Sequence, residues 1–174
     1  MDFRPRNFIL IAIMFALFFV LNTTINAQEK AAPEVLNETT AAKIVPTSFY
    51  FAGQSAPTQM RNSAAARVGK DRYVVAGLVD TSGYSTEISG KYEGFFITDS
   101  PVSIGGKPLK TGAYGFGFSA DNKLHIFDLG SKEIFSVATI NDKELKRPRP
   151  LMMSVGGDGL RFYKGKSYAV IKAN

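Results

Sequence analysis

The sequence has no cysteine and a single histidine, His125, and no glycine occurs before Gly53. Each absence removes a class of function. Without cysteine there is no disulfide scaffold, no thiolate-bound zinc and no lipid-modified N-terminal cysteine, so an exported form must hold together by burial alone. One histidine supplies neither a His-rich zinc site nor the paired histidines of an HExxH helix. Beyond the first segment no window carries a sustained apolar stripe of 3.6-residue period, so an α-helical domain is set aside. Two chemically different parts remain: all 16 Gly lie at Gly53 or later, and 5 of the 14 Phe lie before residue 28.

What is present begins with an address. The chain has 174 residues, 45% hydrophobic and 21% charged, the composition and length of about one globular domain. Arg4 and Arg6 stand against Asp2, and an uninterrupted apolar run, Phe8 to Leu21, follows. Asn22-Thr23-Thr24 and Ile25-Asn26-Ala27 complete a secretory signal over 1–27, with the cut after Ala27. Fourteen apolar residues span about 21 Å as a helix, short of a hydrocarbon core of about 30 Å. An uncleaved signal anchor is the alternative. The expected location is therefore periplasmic or extracellular, with membrane contact only through the signal before cleavage. Residues 28–174 then carry 19 basic and 14 acidic side chains, net +5, an ordinary value for a soluble exported domain.

Residues 28–46 are rich in Ala, Thr, Glu and Pro without an aromatic, the composition of a flexible tether. Asn37-Glu38-Thr39 fits an N-glycosylation acceptor, which matters only in a eukaryotic secretory pathway. From residue 47 to 174 short segments rich in Val, Ile, Phe and Tyr recur, separated by turn residues such as Gly105-Gly106, Asp121-Asn122 and Gly156-Gly157-Asp158-Gly159. Asn62–Ala66 and Asp142–Lys146 read as a helical turn each. The expected fold is all-β: an antiparallel sandwich or closed barrel of about 8–10 short strands forming a single domain over 47–174.

Alternation adds detail. In Ala113–Ser119, Tyr114, Phe116 and Phe118 share one face, whereas Ala113, Gly115, Gly117 and Ser119 leave the other nearly bare. Either that face meets water, or something lies close over it: another segment of the domain, the favoured reading, or an external ligand or partner. Tyr73–Val79 barely alternates, as a central strand buried on both sides would.

Chemistry is sparse. No G-x-S-x-G elbow exists, since Gly83-Tyr84-Ser85-Thr86-Glu87 ends in Glu. His125, between Leu124 and Ile126, reads as a solvent-facing strand histidine, so no catalytic residue, metal or cofactor is expected. Gly112, Gly115 and Gly117 lack the following helix that a phosphate loop requires. The polar turn Asp80–Ser85 offers Asp80, Ser82 and Tyr84 for a sugar or hard cation, although such residues also cap turns. Gln54, Arg61 and Asn62 lie in a second polar stretch, Gly53–Ser63, read as a loop and edge strand. These six residues are the ligand-binding candidates. Lys143, Lys146, Arg147 and Arg149 form a basic connector with no interleaved aromatic, so nucleic acid is not an expected partner.

The stretch Val102–Phe116, with Gly106-Lys107-Pro108-Leu109 and Gly112-Ala113-Tyr114, resembles the strand, G-K-x-L, G-x-Y, strand unit of uncharacterised exported bacterial β domains. That resemblance implies a hairpin and export, and no activity. The expected function is a non-enzymatic exported β domain that binds an envelope component or small ligand, or serves the envelope structurally. Two rivals are a calycin-like barrel carrying a small apolar molecule and a hydrolase using carboxylates such as Asp80, Glu87, Asp99 or Asp128.

Overall fold

The computed structural model describes residues 32–173; the signal expected over 1–27 and the start of the tether lie outside the described residues. The described chain is all-β, with two antiparallel sheets. In the first, β1 (Glu34–Val35), β3 (Gln54–Gly69), β4 (Arg72–Val79), β5 (Gly94–Thr98), β8 (Gly112–Ser119), β9 (Lys123–Phe127) and β10 (Glu133–Ala138) lie side by side in that order. Strand β2 (Ser48–Phe51) pairs with the first turn-proximal residues of β3. The second sheet runs β12 (Arg149–Gly156), β13 (Gly159–Gly165), β14 (Ser167–Ala173), β6 (Val102–Ile104), β7 (Lys107–Leu109), with β11 (Ile140–Asn141) paired to β14. Neither sheet closes on itself, so the closed-barrel expectation finds no support.

The turn chemistry explains the hairpins. Gly105 and Gly106, both at positive φ (54° and 83°), join β6 to β7 with Ile104 opposite Lys107, the backbone twist that a tight hairpin needs. Asn122 at φ 59° does the same work between β8 and β9.

One core lies where the two sheets meet. Phe96, Phe116, Leu124 and Ile126 of the first sheet pack with Leu151, Leu160, Phe162 and Ile171 of the second. Phe162 takes Phe116 edge-on, with centroids 5.1 Å apart and planes at 82°, a favourable aromatic arrangement. The opposite face of the first sheet holds a second core, covered by β2 and the segment before β5: Phe49, Phe51, Tyr84 and Tyr92 against Val75, Phe95 and Phe127. Val74 and Ala76 enter the first core while Val75 and Val79 enter the second, so β4 is buried on both sides.

The bare face of β8 is covered by the chain itself. The Phe51 ring stands where a Cβ on Gly115 would project, and the Lys91 carbonyl stands over Gly117.

Three stretches differ from the sequence reading. The described residues hold 14 strands, more than the 8–10 expected. Gln54–Gly69, read as a loop, edge strand and helical turn, is a 16-residue strand, broken in register between Thr58 and Ser63. Its polar first half has no apolar alternation to read, and its Ala64-Ala65-Ala66 run is recruited by burial in both cores rather than by local propensity. Within the segment read as a tether, β1 pairs with β3, α1 (Glu38–Ala41) starts at Asn37, whose side chain accepts from the Thr40 N–H at 2.9 Å, and Val45 is buried. Asp142–Lys146 forms turns without a helix, while α2 (Thr86–Ser89) begins at Ser85, whose hydroxyl accepts from the Ile88 N–H.

Candidate functional site

The six candidates divide between two places. Gln54, Asp80, Ser82 and Tyr84 come together where β3 begins and β4 ends. Gln54 Nε2 donates to the Gly83 carbonyl at 3.0 Å, and the Tyr84 hydroxyl donates to the Gln54 carbonyl at 3.2 Å. Asp80 Oδ1 accepts the Ser82 N–H at 3.0 Å, which holds its carboxyl below the ordinary value of 3.8. The polar groups of this turn are thus directed at its own backbone. Beneath it lies Tyr92, fully buried, with its ring stacked on Phe51 at 3.8 Å and its hydroxyl without a hydrogen-bond partner among the described residues. Burial, and then the neighbouring Tyr84, push the Tyr92 phenol well above its usual value.

Arg61 and Asn62 sit elsewhere, at the register break of β3. Asn62 Nδ2 donates to Gln59 Oε1 at 2.8 Å, and Gln59 Nε2 donates to the Val79 carbonyl at 3.1 Å, so side chains brace the strand where its ladder is interrupted. Beside the break lies a groove of about 580 Å³ lined by residues of β1, α1, β3 and β12. Its lining combines Leu36, Met60, Leu151 and Met153 with Glu38 and two arginines, Arg61 and Arg149. Arg149 Nη1 reaches Glu38 Oε1 at 3.4 Å on the rim, whereas Arg61 enters none of the described ion pairs.

A third cluster was not legible in the sequence. On the outer face of the first sheet, Ser119 Oγ lies 2.8 Å from His125 Nε2, and His125 Nδ1 lies 3.0 Å from Glu133 Oε2. Ser119 also bonds Asp121, whose other carboxylate oxygen meets Lys123 Nζ at 2.6 Å. Lys123 first, and then the Ser119 hydroxyl, hold the Asp121 carboxyl down to about 2. The His125 ring lies parallel to Phe127 at 6.2 Å, and its side chain is 22% exposed. His125 does leave the strand on the side opposite Leu124 and Ile126, yet it is engaged at both nitrogens rather than simply solvated. Two hairpins make the cluster: Ser119 is the register partner of Lys123 across β8–β9, and Glu133 opens β10 beside β9. The one usable sequence signal was alternation, which put His125 opposite Leu124 and Ile126 and Ser119 on the glycine-bearing face of its strand; the register that joins them was not readable.

Of the carboxylates considered for a hydrolase, Asp80, Asp99 and Asp128 accept backbone N–H groups. Asp99 Oδ1 accepts the Tyr73 N–H at 2.8 Å, Asp128 Oδ1 accepts the Gly130 and Lys132 N–H groups at 2.9 Å, and Glu87 lies in the first turn of α2. Among the described residues no group of three or more His, Cys, Asp or Glu side chains is placed to hold a metal ion. No family model, curated protein or solved structure matches this chain.

Proposed function

We propose that this chain is an exported binding domain of the cell envelope, an open β-sandwich whose groove between β3 and β12 takes a small amphipathic ligand with an anionic head. The observation that carries the reading is the composition of the groove. Met60, Leu151 and Met153 supply apolar lining, and Arg61, which enters none of the described ion pairs, lines the same groove, while Arg149 is paired with Glu38. Guanidinium groups recognise carboxylates with paired N–H donors, and methionine adapts its unbranched side chain to varied apolar shapes. A volume of about 580 Å³ is within the range of small-molecule sites. Export is supported by the basic start, the Phe8–Leu21 apolar run and Ala27.

Isothermal titration of residues 28–174 with dodecanoate and with dodecanol tests the reading. Dodecanoate is expected to bind, dodecanol to bind at least tenfold more weakly, and Arg61→Ala to remove most of that preference. Absence of dodecanoate binding, or equal binding by wild type and Arg61→Ala, overturns it.

A further inference from the structure

We infer that Ser119 is a nucleophile toward small activated acyl esters, with His125 as its general base and Glu133 as the residue that positions the imidazole. This site lies on β8, β9 and β10, away from the groove lining, and does not depend on what the groove binds.

The argument starts from hydrogen-bond capacity. An ionised carboxylate only accepts, so at the 3.0 Å contact with Glu133 it is His125 Nδ1 that carries the proton. In the neutral ring Nε2 is then an acceptor, and it faces the Ser119 hydroxyl at 2.8 Å. That is the tautomer and order of contacts of an activated serine: nucleophile, base, orienting acid. The hydroxyl has two other acceptors, Asp121 and, at 3.4 Å, the Lys123 carbonyl, and a single proton to give. Rotation about the Ser119 Cβ–Oγ bond directs that proton to one of the three, and only the His125 setting leads to transfer. Lys123, paired with Asp121 and opposite Ser119 in the ladder, brings an ammonium group to the same corner. Developing negative charge on an acyl oxygen is stabilised by such a cation. The side chains of Asp121, Lys123 and Glu133 are each more than two-fifths exposed, so the corner is open to a small reagent.

The step balances without a further reactant. Ser119 Oγ attacks the acyl carbon, an Oγ–C bond forms, the carbonyl electron pair moves to oxygen and the hydroxyl proton passes to His125 Nε2. On collapse the bond to the leaving oxygen breaks, and that oxygen takes the proton from Nε2. Acyl-Ser119 and an alcohol result. Water repeats the sequence on the acyl-enzyme and releases the acid.

A fluorophosphonate probe reports the first half of this chemistry, because Ser119 Oγ displaces fluoride at phosphorus and the adduct is stable. Intact-mass and peptide mass spectrometry of the folded 28–174 chain are expected to show one adduct, on Ser119. His125→Gln, its fold checked by circular dichroism, is expected to slow labelling by about 100-fold or more. Glu133→Gln is expected to slow it and Glu133→Asp to restore part of the rate, a rescue that a merely structural carboxylate would not produce. Asp121→Asn replaces the charged rival acceptor by a weaker neutral one, so labelling proceeds at the wild-type rate or faster. Ser136→Ala, a substitution at the register partner of His125 outside the proposed machinery, leaves labelling unchanged. An unlabelled wild-type chain, an adduct on another residue, full labelling of His125→Gln, or loss of labelling in Asp121→Asn each overturns the assignment.

Discussion

The Phe51 ring lies directly over the backbone of Gly115, in the space a side chain at that position would need. This contact ties β2 to β8 across the second core, and it accounts for a glycine in a strand interior, where glycine is ordinarily unfavourable by roughly 0.5–1 kcal/mol relative to alanine. Gly115→Val forces Phe51 out of its stack on Tyr92. A loss of roughly 1–3 kcal/mol in unfolding free energy is expected, measured by urea denaturation beside wild type. An unchanged midpoint would show that β2 is not held against this face.

Tyr92 offers a change of opposite sign. Its ring is part of the aromatic stack, while its hydroxyl is buried without a partner among the described residues. After burial, the Tyr84 hydroxyl adds to the raised pKa of the Tyr92 phenol, yet makes no bond of normal geometry with it. A buried polar group left unpaired is destabilising by about 1–3 kcal/mol, so Tyr92→Phe should keep the packing and raise stability by about 1 kcal/mol. A fall in the denaturation midpoint would mean that the hydroxyl is hydrogen-bonded in solution.

What the sequence disclosed and what it hid follow from the same physics. Segments rich in large apolar residues, continuous in Gly94–Thr98 and alternating in Ala113–Ser119, announce themselves because their pattern is local in the chain. So do the hairpin turns, where Gly105, Gly106 and Asn122 adopt positive φ. Strand β3 is hidden because neighbours, not its own pattern, define it: β2 pairs with its start, while β4 and β1 flank its far end, where Ala66 and Arg67 pair with both. Gln54 and Tyr84 lie in two separate polar stretches of the sequence, and the pairing of β3 with β4 brings them into contact across 30 positions. Arg61 was grouped with Gln54 and lies in the groove instead, because the register break turns its part of β3 toward β12. Ser119, His125 and Glu133 are separated by 6 and 8 positions, spacings that carry no signal until the two hairpins set their register.

Export should yield a chain beginning at Gln28. The motivation is the basic residues Arg4 and Arg6, the Phe8–Leu21 run and Ala27 at the cut. Intact-mass spectrometry of the periplasmic or secreted form reads the terminus directly. A full-length species retained in the membrane would instead establish an anchor.

Acid should weaken the fold through its turn carboxylates. Lys123 and the Ser119 hydroxyl hold Asp121 down to about 2, the Ser82 N–H lowers Asp80, and Arg161 lowers Asp158, all from an ordinary value of 3.8. Between these values the unfolded chain binds protons that the folded chain refuses, so stability contributed by these groups is present above about pH 4 and drains away toward pH 2. These side chains are largely solvent-accessible, so salt should reduce the effect. The melting temperature is therefore expected to fall between pH 4 and 2, and Asp121→Asn should flatten part of that slope while leaving the curve above pH 5 parallel to wild type. Identical acid limbs for the two proteins would mean that Asp121 is not held by Lys123 and Ser119 in solution, and would also remove the rival acceptor from the Ser119 corner.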